Sequence, residues 1–266
     1  MTFPSPADLV VSGFQWVEYL GLLGFIGVIV VRRLAGNQPT LTWARMPMHP
    51  ALGVALVGGA GVVLGEVFIS RTLSVTQLYE DPGGWVRVGR VVAEGLALGL
   101  CLRGIRLVVV PGLLAAILLP FAGHAASVQP GFAGIGVDVF HVMSAGMWAG
   151  GIVAMATLKP PGGWRGAEGV ALLDRFSRVA PVAFAITALT GVLRATEELS
   201  TVSDLWTTSY GVVLSVKTIG VTAMVALSWL LWRRGLPVAR WEAVVALIVI
   251  AATALLAAYS LPPGQA

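Results

Sequence analysis

Charged residues are scarce in this sequence. Only 11% of its 266 residues are Asp, Glu, Lys or Arg, whereas 57% are hydrophobic. A soluble globular domain carries about 25% charged residues, so this chain has too few polar side chains to cover a soluble protein of its length. The composition therefore predicts an integral membrane protein.

Cysteine and the common catalytic motifs are also nearly absent. Cys101 is the single cysteine, which excludes an intramolecular disulfide, and we interpret it as a packing residue. The sequence contains no nucleophile elbow, no phosphate-binding loop, no HExxH pattern and no cysteine pair. A hydrolase or an NTPase therefore has no support, and we expect a protein that is not an enzyme.

Apolar segments long enough to cross a bilayer recur along the chain. A helix needs about 18–20 apolar residues to span a hydrocarbon core of about 30 Å. Eight such segments predict an all-α polytopic bundle, although Arg87, Arg90 and Glu94 interrupt the third and leave a seven-span interpretation open. The predicted spans are 10–31, 50–70, 86–102, 105–125, 135–158, 178–198, 210–232 and 241–261.

Basic residues are concentrated in alternate loops. Because short basic loops stay in the cytoplasm, this bias predicts that both termini face outward, and its regularity favours eight spans over seven. The first span would act as an uncleaved insertion signal. The bias also accounts for the net charge of +4, so no nucleic-acid partner is expected. On the predicted inner side lie Arg32, Arg33, Arg45, Arg103, Arg106, Lys159, Arg165, Arg175, Arg178, Arg233, Arg234 and Arg240.

Short motifs recur in the two halves of the sequence. Residues 25–27 of the first span (Phe-Ile-Gly) parallel residues 148–150 of the fifth (Trp-Ala-Gly). We therefore predict a single membrane domain over residues 1–266, built as a four-plus-four parallel repeat with halves 8–125 and 130–263. Parallel repeats in transporters place their sites between the halves.

Two of the three histidines lie where the fourth span ends and the fifth begins. Neutral imidazole is a common ligand of copper, zinc and haem iron, so His124 and His141 predict a metal site toward the outer face. Asp138 is either a third ligand or, as we favour, the acceptor that fixes the imidazole tautomer. Thioethers favour Cu(I), which makes Met143 and Met147 secondary candidates. On an ideal helix both point roughly 100° or more away from His141.

Ionisable residues within the spans are a second group of candidates. Each costs at least about 2.5 kcal/mol on insertion and normally needs a partner. From corresponding spans of the proposed repeats, Glu94 and Lys217 are predicted to form an intramembrane ion pair. On the inner side, Met46, Met48 and His49 are predicted to relay Cu(I), although the neighbouring prolines equally suit a plain loop-to-helix junction. The other members of this group are Glu18, Glu66 and Glu242.

A series of motifs follows in order from about residue 120 onward. The motifs are Gly123-His124-Ala125, Asp138 with His141, Trp148 with Gly150-Gly151, Arg175-Phe176-Ser177-Arg178, Ala188-Leu189-Thr190-Gly191, Tyr210-Gly211 with Lys217, and Leu261-Pro262-Pro263. In this order and spacing they resemble the copper resistance D family (CopD) of bacterial inner-membrane proteins. The resemblance is weaker before residue 120, where Glu18 and Tyr19 occupy a stretch that is histidine-bearing in many relatives.

This resemblance implies a lipid-embedded protein that handles copper across the bacterial cytoplasmic membrane. Uptake from the periplasm, linked to copper resistance or homeostasis, is the expected activity. The resemblance also implies a periplasmic copper-binding partner of the C type.

Two other classes of function stay open. In a membrane haem protein, His124 and His141 would be axial ligands of haem b for electron transfer or porphyrin oxidation. In a non-metal envelope scaffold the histidines would be incidental. The sequence has no ATP-binding motif, so transport would run down a gradient or be coupled to protons.

Overall fold

The structure is a computed structural model that describes residues 3–122, 131–199, 201–234 and 239–259. Within these ranges the chain is helical between its loops, and no strand occurs in them. The main helices are α1 (Pro6–Ala35), α2 (His49–Phe68), α3 (Pro82–Leu102), α4 (Val109–Leu118), α5 (Gly131–Ala145, a π-helical turn at Gly146–Gly150, and Gly151–Ala156), α6 (Ala167–Glu198), α7 (Ser209–Arg234) and α8 (Ala239–Ala257).

Each of the eight predicted spans coincides with one of these helices, and the predicted all-α polytopic membrane bundle is confirmed. By length and composition, α1, α2, α5, α6 and α7 are apolar enough to cross a membrane. Two further helices, α4 and α8, lie in shorter apolar segments. The remaining helix, α3, carries the three charged residues that interrupt the third predicted span.

Local signals in the sequence set the bounds of α1. Ser5 accepts a hydrogen bond from the Asp8 backbone N–H, and the Asp8 carboxylate accepts one from Ser5, which forms a capping box. Pro6 follows at the first helical position, where its missing N–H costs nothing. Arg32 and Arg33 lie in the last turn, where cations interact favourably with the helix dipole.

At the centre of the bundle lies α1, which contacts α2, α5 and α8. Its small residues allow these helices to approach closely. A Cβ atom added at Gly27 would overlap the backbone of Gly150 in the π-helical turn of α5, and one at Gly21 would overlap the backbone of Ala55 in α2. Membrane helices pack by such close contacts because lipid provides no hydrophobic drive for their association.

We call the end of the bundle that carries the start of α1 and the end of α8 the outer end, and the opposite end the inner end. The half of the bundle next to the inner end is an apolar core. Phe25, Val31, Ile152, Leu172 and Phe176 are among the buried residues of this core. The inner half is therefore well packed.

Arg175 joins the two halves of the chain at the inner end. Its guanidinium donates to the carbonyl oxygens of Leu34 at 2.9 Å, Asn37 at 3.2 Å and Pro39 at 2.8 Å. These carbonyls belong to the last turn of α1 and the loop after it, where helix geometry leaves acceptors unpaired. The motif that contains Arg175 thus anchors α6 to α1.

Replacing Gly27 by alanine tests the contact between α1 and α5. The added methyl group would overlap the Gly150 backbone, and overpacking typically costs about 1–3 kcal/mol. We expect Gly27→Ala to lower the thermal unfolding midpoint of the detergent-solubilised protein. The matched control is Gly24→Ala, whose Cβ would meet only the Ala51 side chain at 3.9 Å. Equal midpoints for the two variants would contradict the packing described.

Candidate functional site

A cavity of about 990 Å³ extends into the bundle from its outer end. It reaches from Asp8 at the start of α1 and Ala257 at the end of α8 down to Trp148. We call it the outer cavity. Its ionisable lining residues are Asp8, Glu18, Tyr19, Glu66, Arg87, Arg90, Asp138, His141, Arg194, Tyr210 and Lys217.

An aromatic pair forms the floor of the outer cavity. The rings of Trp148 and Phe184 meet edge to face with centroids 4.8 Å apart, and Trp148 is buried. The apolar core of the inner half begins below this pair. The outer cavity thus ends in the middle of the bundle, where packed side chains begin.

His141 of α5 lies in the outer cavity with its ring beside α6. Its Nδ1 is 2.9 Å from the Thr190 hydroxyl, which itself donates to the Ile186 carbonyl oxygen at 2.7 Å. A hydroxyl has one hydrogen to donate, so Thr190 accepts from His141 and the imidazole carries its proton on Nδ1. The lone pair of a neutral ring is then on Nε2, which is the atom available to a ligand.

A second polar bridge fixes α5 against α6 one turn further inward. The hydroxyls of Ser144 and Thr187 lie 2.7 Å apart, and Thr187 donates to the Ala183 carbonyl oxygen. Either hydroxyl can donate in this contact, because the Ser144 hydroxyl also lies 3.1 Å from the His141 carbonyl oxygen. Together with the bond between His141 and Thr190, this bridge sets the position of the imidazole before any ligand binds.

Asp138 does not have the role that we favoured from the sequence. The hydrogen-bond acceptor at His141 Nδ1 is Thr190, and the Asp138 carboxylate forms an ion pair with Arg194 of α6 at 2.9 Å. Lys217 of α7 lines the same part of the cavity and interacts electrostatically with both Asp138 and His141. The carboxylate thus balances positive charge beside the imidazole.

The structure separates Met143 and Met147 from His141. Both methionines line a second cavity of about 500 Å³, together with Phe140 and Arg178, whereas His141 lines the outer cavity. The π-helical turn at Gly146–Gly150 begins after Met143 and leaves this division unchanged. Within α5, the two thioethers and the imidazole therefore belong to different faces, as ideal helix geometry predicts.

The predicted pairing of His124 with His141 lies outside the described residues, because His124 is not among them. In the ranges that the structure does describe, no group of three or more His, Cys, Asp or Glu side chains is close enough to hold a metal ion. His141 is thus the imidazole that the described part of the bundle presents to the outer cavity.

The structure does not assemble the predicted relay of Met46, Met48 and His49. Met48 is buried in the apolar core, and His49 is exposed at the first position of α2. Met46 is half-buried, and its carbonyl oxygen accepts a hydrogen bond from Arg32 at 3.0 Å. The segment has the geometry of a loop-to-helix junction, which was the other interpretation of this sequence.

The predicted ion pair between Glu94 and Lys217 is wrong. Glu94 of α3 faces α1 and α2, where it lies beside Glu18 and interacts with Arg90. Lys217 lies across the bundle with Asp138 and His141. Corresponding spans need not contact each other, and each of these side chains has its partners in its own half of the chain.

Arg90 has a structural role that the sequence did not reveal. It is one of the three charges that interrupt the third predicted span, yet it is only 5% exposed and forms an ion pair with Glu18 at 2.5 Å. Its neighbour Arg87 pairs with Glu66 at 2.6 Å. The spacing of Arg87, Arg90 and Glu94 was the available signal, since residues three and four apart share one face of a helix.

Comparisons with known proteins bear on one wall of the outer cavity. Residues 170–259 match the family model described as copper resistance protein D. This segment is therefore similar to the copper resistance D family. It comprises most of α6 and all of α7 and α8, and so contains Thr190, Arg194 and Lys217 but not His141. The resemblance predicted from the sequence is confirmed over this part of the chain.

One curated relative is the copper transport protein CutJ of Bacillus subtilis (strain 168). The two proteins are 34% identical over 101 residues, which cover 37% of this chain and 18% of CutJ. The chain thus matches less than a fifth of the length of this relative. No solved structure matches this chain.

The hydrogen bond between His141 and Thr190 predicts the protonation of the imidazole. In ¹⁵N NMR spectra of histidine-labelled protein in detergent, we expect the His141 signals, assigned by their loss in His141→Gln, to show a proton on Nδ1. Thr190→Val should change them, because it leaves the N–H without its acceptor, at a cost of about 1–3 kcal/mol. Thr190→Ser keeps a hydroxyl and should preserve them. A wild-type ring protonated on Nε2 alone would contradict the assignment.

Proposed function

We propose that this protein carries copper across the bacterial cytoplasmic membrane, taking it up from the outer side. The observation that carries the proposal is the His141 imidazole, which lines the cavity at the outer end and contacts Thr190 through its Nδ1. Thr190 lies in the segment that matches the copper resistance protein D model. The relative CutJ is named as a copper transport protein, which agrees with this activity.

Copper is the cargo in this proposal rather than a resident cofactor. A neutral imidazole suits either oxidation state of copper, and the Asp138 carboxylate lies in the same cavity. Arg194 and Lys217 oppose the accumulation of a cation there. Conduction requires a site that binds its ion well enough to admit it and weakly enough to release it, and a single fixed imidazole beside positive charge meets both conditions.

The orientation of the bundle belongs to the same proposal. With the outer end in the periplasm, the basic loops face the cytoplasm in agreement with the positive-inside rule, and both termini are periplasmic. The outer cavity then accepts copper from the periplasm. A periplasmic copper-binding protein of the C type would dock at this end, where it could deliver its ion directly.

Copper uptake by cells that express His141 variants tests the proposal. We expect His141→Ala to reduce the initial uptake rate at least about tenfold, because loss of groups at a metal site typically costs 10–100-fold in affinity or activity. The control is the double variant Met143→Leu with Met147→Leu, which keeps side-chain volume on the other face of α5 and should transport normally. Expression and unfolding midpoint should match wild type in both cases. Normal uptake by His141→Ala would overturn the assignment.

Absorption spectra and metal analysis of the purified protein distinguish the alternatives. After exposure to copper under reducing conditions, we expect bound copper that is lost in His141→Ala, with His124→Ala reporting on the predicted second imidazole. A Soret band that disappears in the same variants would instead identify a haem b protein. If the purified protein binds neither copper nor haem, the envelope scaffold is favoured.

A further inference from the structure

Two buried carboxyl groups converge on one glycine in the first half of the bundle. A Cβ atom added at Gly59 of α2 would lie 3.0 Å from Glu18 Oε1 and 3.1 Å from the carboxyl carbon of Glu94. Both glutamates have an exposed fraction of 0%. The missing side chain at Gly59 thus provides the space in which the carboxyl groups of α1 and α3 meet.

The positively charged groups nearby are too few to neutralise all the carboxylates. The Arg90 guanidinium pairs with Glu18 at 2.5 Å, and Arg87 pairs with Glu66 at 2.6 Å. Neither carboxyl oxygen of Glu94 has a hydrogen-bond partner among the described residues. Tyr19, another titratable residue beside Glu18, is not a cation. One negative charge is therefore left without a counterion.

A proton resolves this arrangement. An ionised carboxylate buried without compensation is so costly that the group binds a proton instead. When two carboxylates share a site, one of them is held in the protonated form. We propose that Glu18 and Glu94 form a proton-binding site, in which one shared proton allows one carboxyl group to donate a hydrogen bond to the other. Glu18 lines the outer cavity, so this proton exchanges with water at the outer end.

The proposed repeat gives this site a counterpart. Glu18 is as far before Glu94 in the chain as His141 is before Lys217. The offset from Glu18 to His141 also relates Gly27 to Gly150, and these two glycines pack against each other. The short helices Gln77–Glu80 and Asp204–Thr207 likewise pack on the first turns of α3 and α7. The acidic pair therefore occupies the position in the first half that a basic pair occupies in the second. The inference of a proton site depends on the contacts of Glu18 and Glu94 and not on which ion the protein transports.

Infrared spectroscopy of the purified protein tests the shared proton directly. At neutral pH and without copper, we expect wild type to show the carbonyl stretch of a buried protonated carboxylic acid, and the wild-type minus Glu94→Gln difference spectrum to show the loss of this band. Glutamine resembles the protonated acid in shape and can donate to Glu18, so the variant should fold. The band should shift in heavy water, because the cavity gives solvent access to Glu18.

Two matched variants complete the experiment. Glu66→Gln removes a carboxylate that already has Arg87 as its partner, and Glu242→Gln removes a buried carboxyl group that accepts a hydrogen bond from Ser228; neither should remove the band that is lost in Glu94→Gln. The proposal fails if that variant keeps the full wild-type band, if the band does not shift in heavy water, or if stability depends on sodium or potassium in place of a proton. Failure of copper uptake through His141 would leave all of these results unaffected.

Discussion

The close contact between α1 and α5 is the constraint on which the rest of the bundle depends. Gly27 and Gly150 bring two helix backbones into direct contact, and lipid would not hold wider-spaced helices together. Below this contact the apolar side chains of both halves form the inner core. Above it the helices diverge around the outer cavity. This pair of glycines thus lies where the packed inner core meets the outer cavity.

Charged residues in the outer half of the bundle are stabilised by ion pairs between neighbouring helices. Arg90 pairs with Glu18 in the first half of the chain, and Arg194 pairs with Asp138 in the second half. Removing one partner of such a pair would leave a buried charge uncompensated, which is strongly destabilising. The two halves of the chain consequently have separate polar networks that face the outer cavity. The network of the first half is predominantly acidic, and that of the second half is predominantly basic.

Prediction from sequence succeeded where a bilayer imposes a length and failed where contact depends on how helices face each other. The positions of all eight helices followed from apolar length, because every backbone polar group in lipid must be satisfied within its own helix. The separation of Met143 and Met147 from His141 also followed, since all three lie on one helix. The partners of Glu94, Arg90 and Asp138 were wrong or missed, because each partner lies on another helix whose rotation the sequence does not specify.

The sequence by itself determined the membrane class and the order and approximate positions of the helices, and it predicted His141 as a candidate ligand. Composition and apolar periodicity are local properties of each segment, and these conclusions need no information about contacts between segments. Only the tertiary structure decided that Thr190 orients the imidazole and that Glu18 and Glu94 meet over Gly59. Those contacts join residues far apart in the chain, and they exist because small residues at the helix crossings set how closely and at what rotation the helices pack.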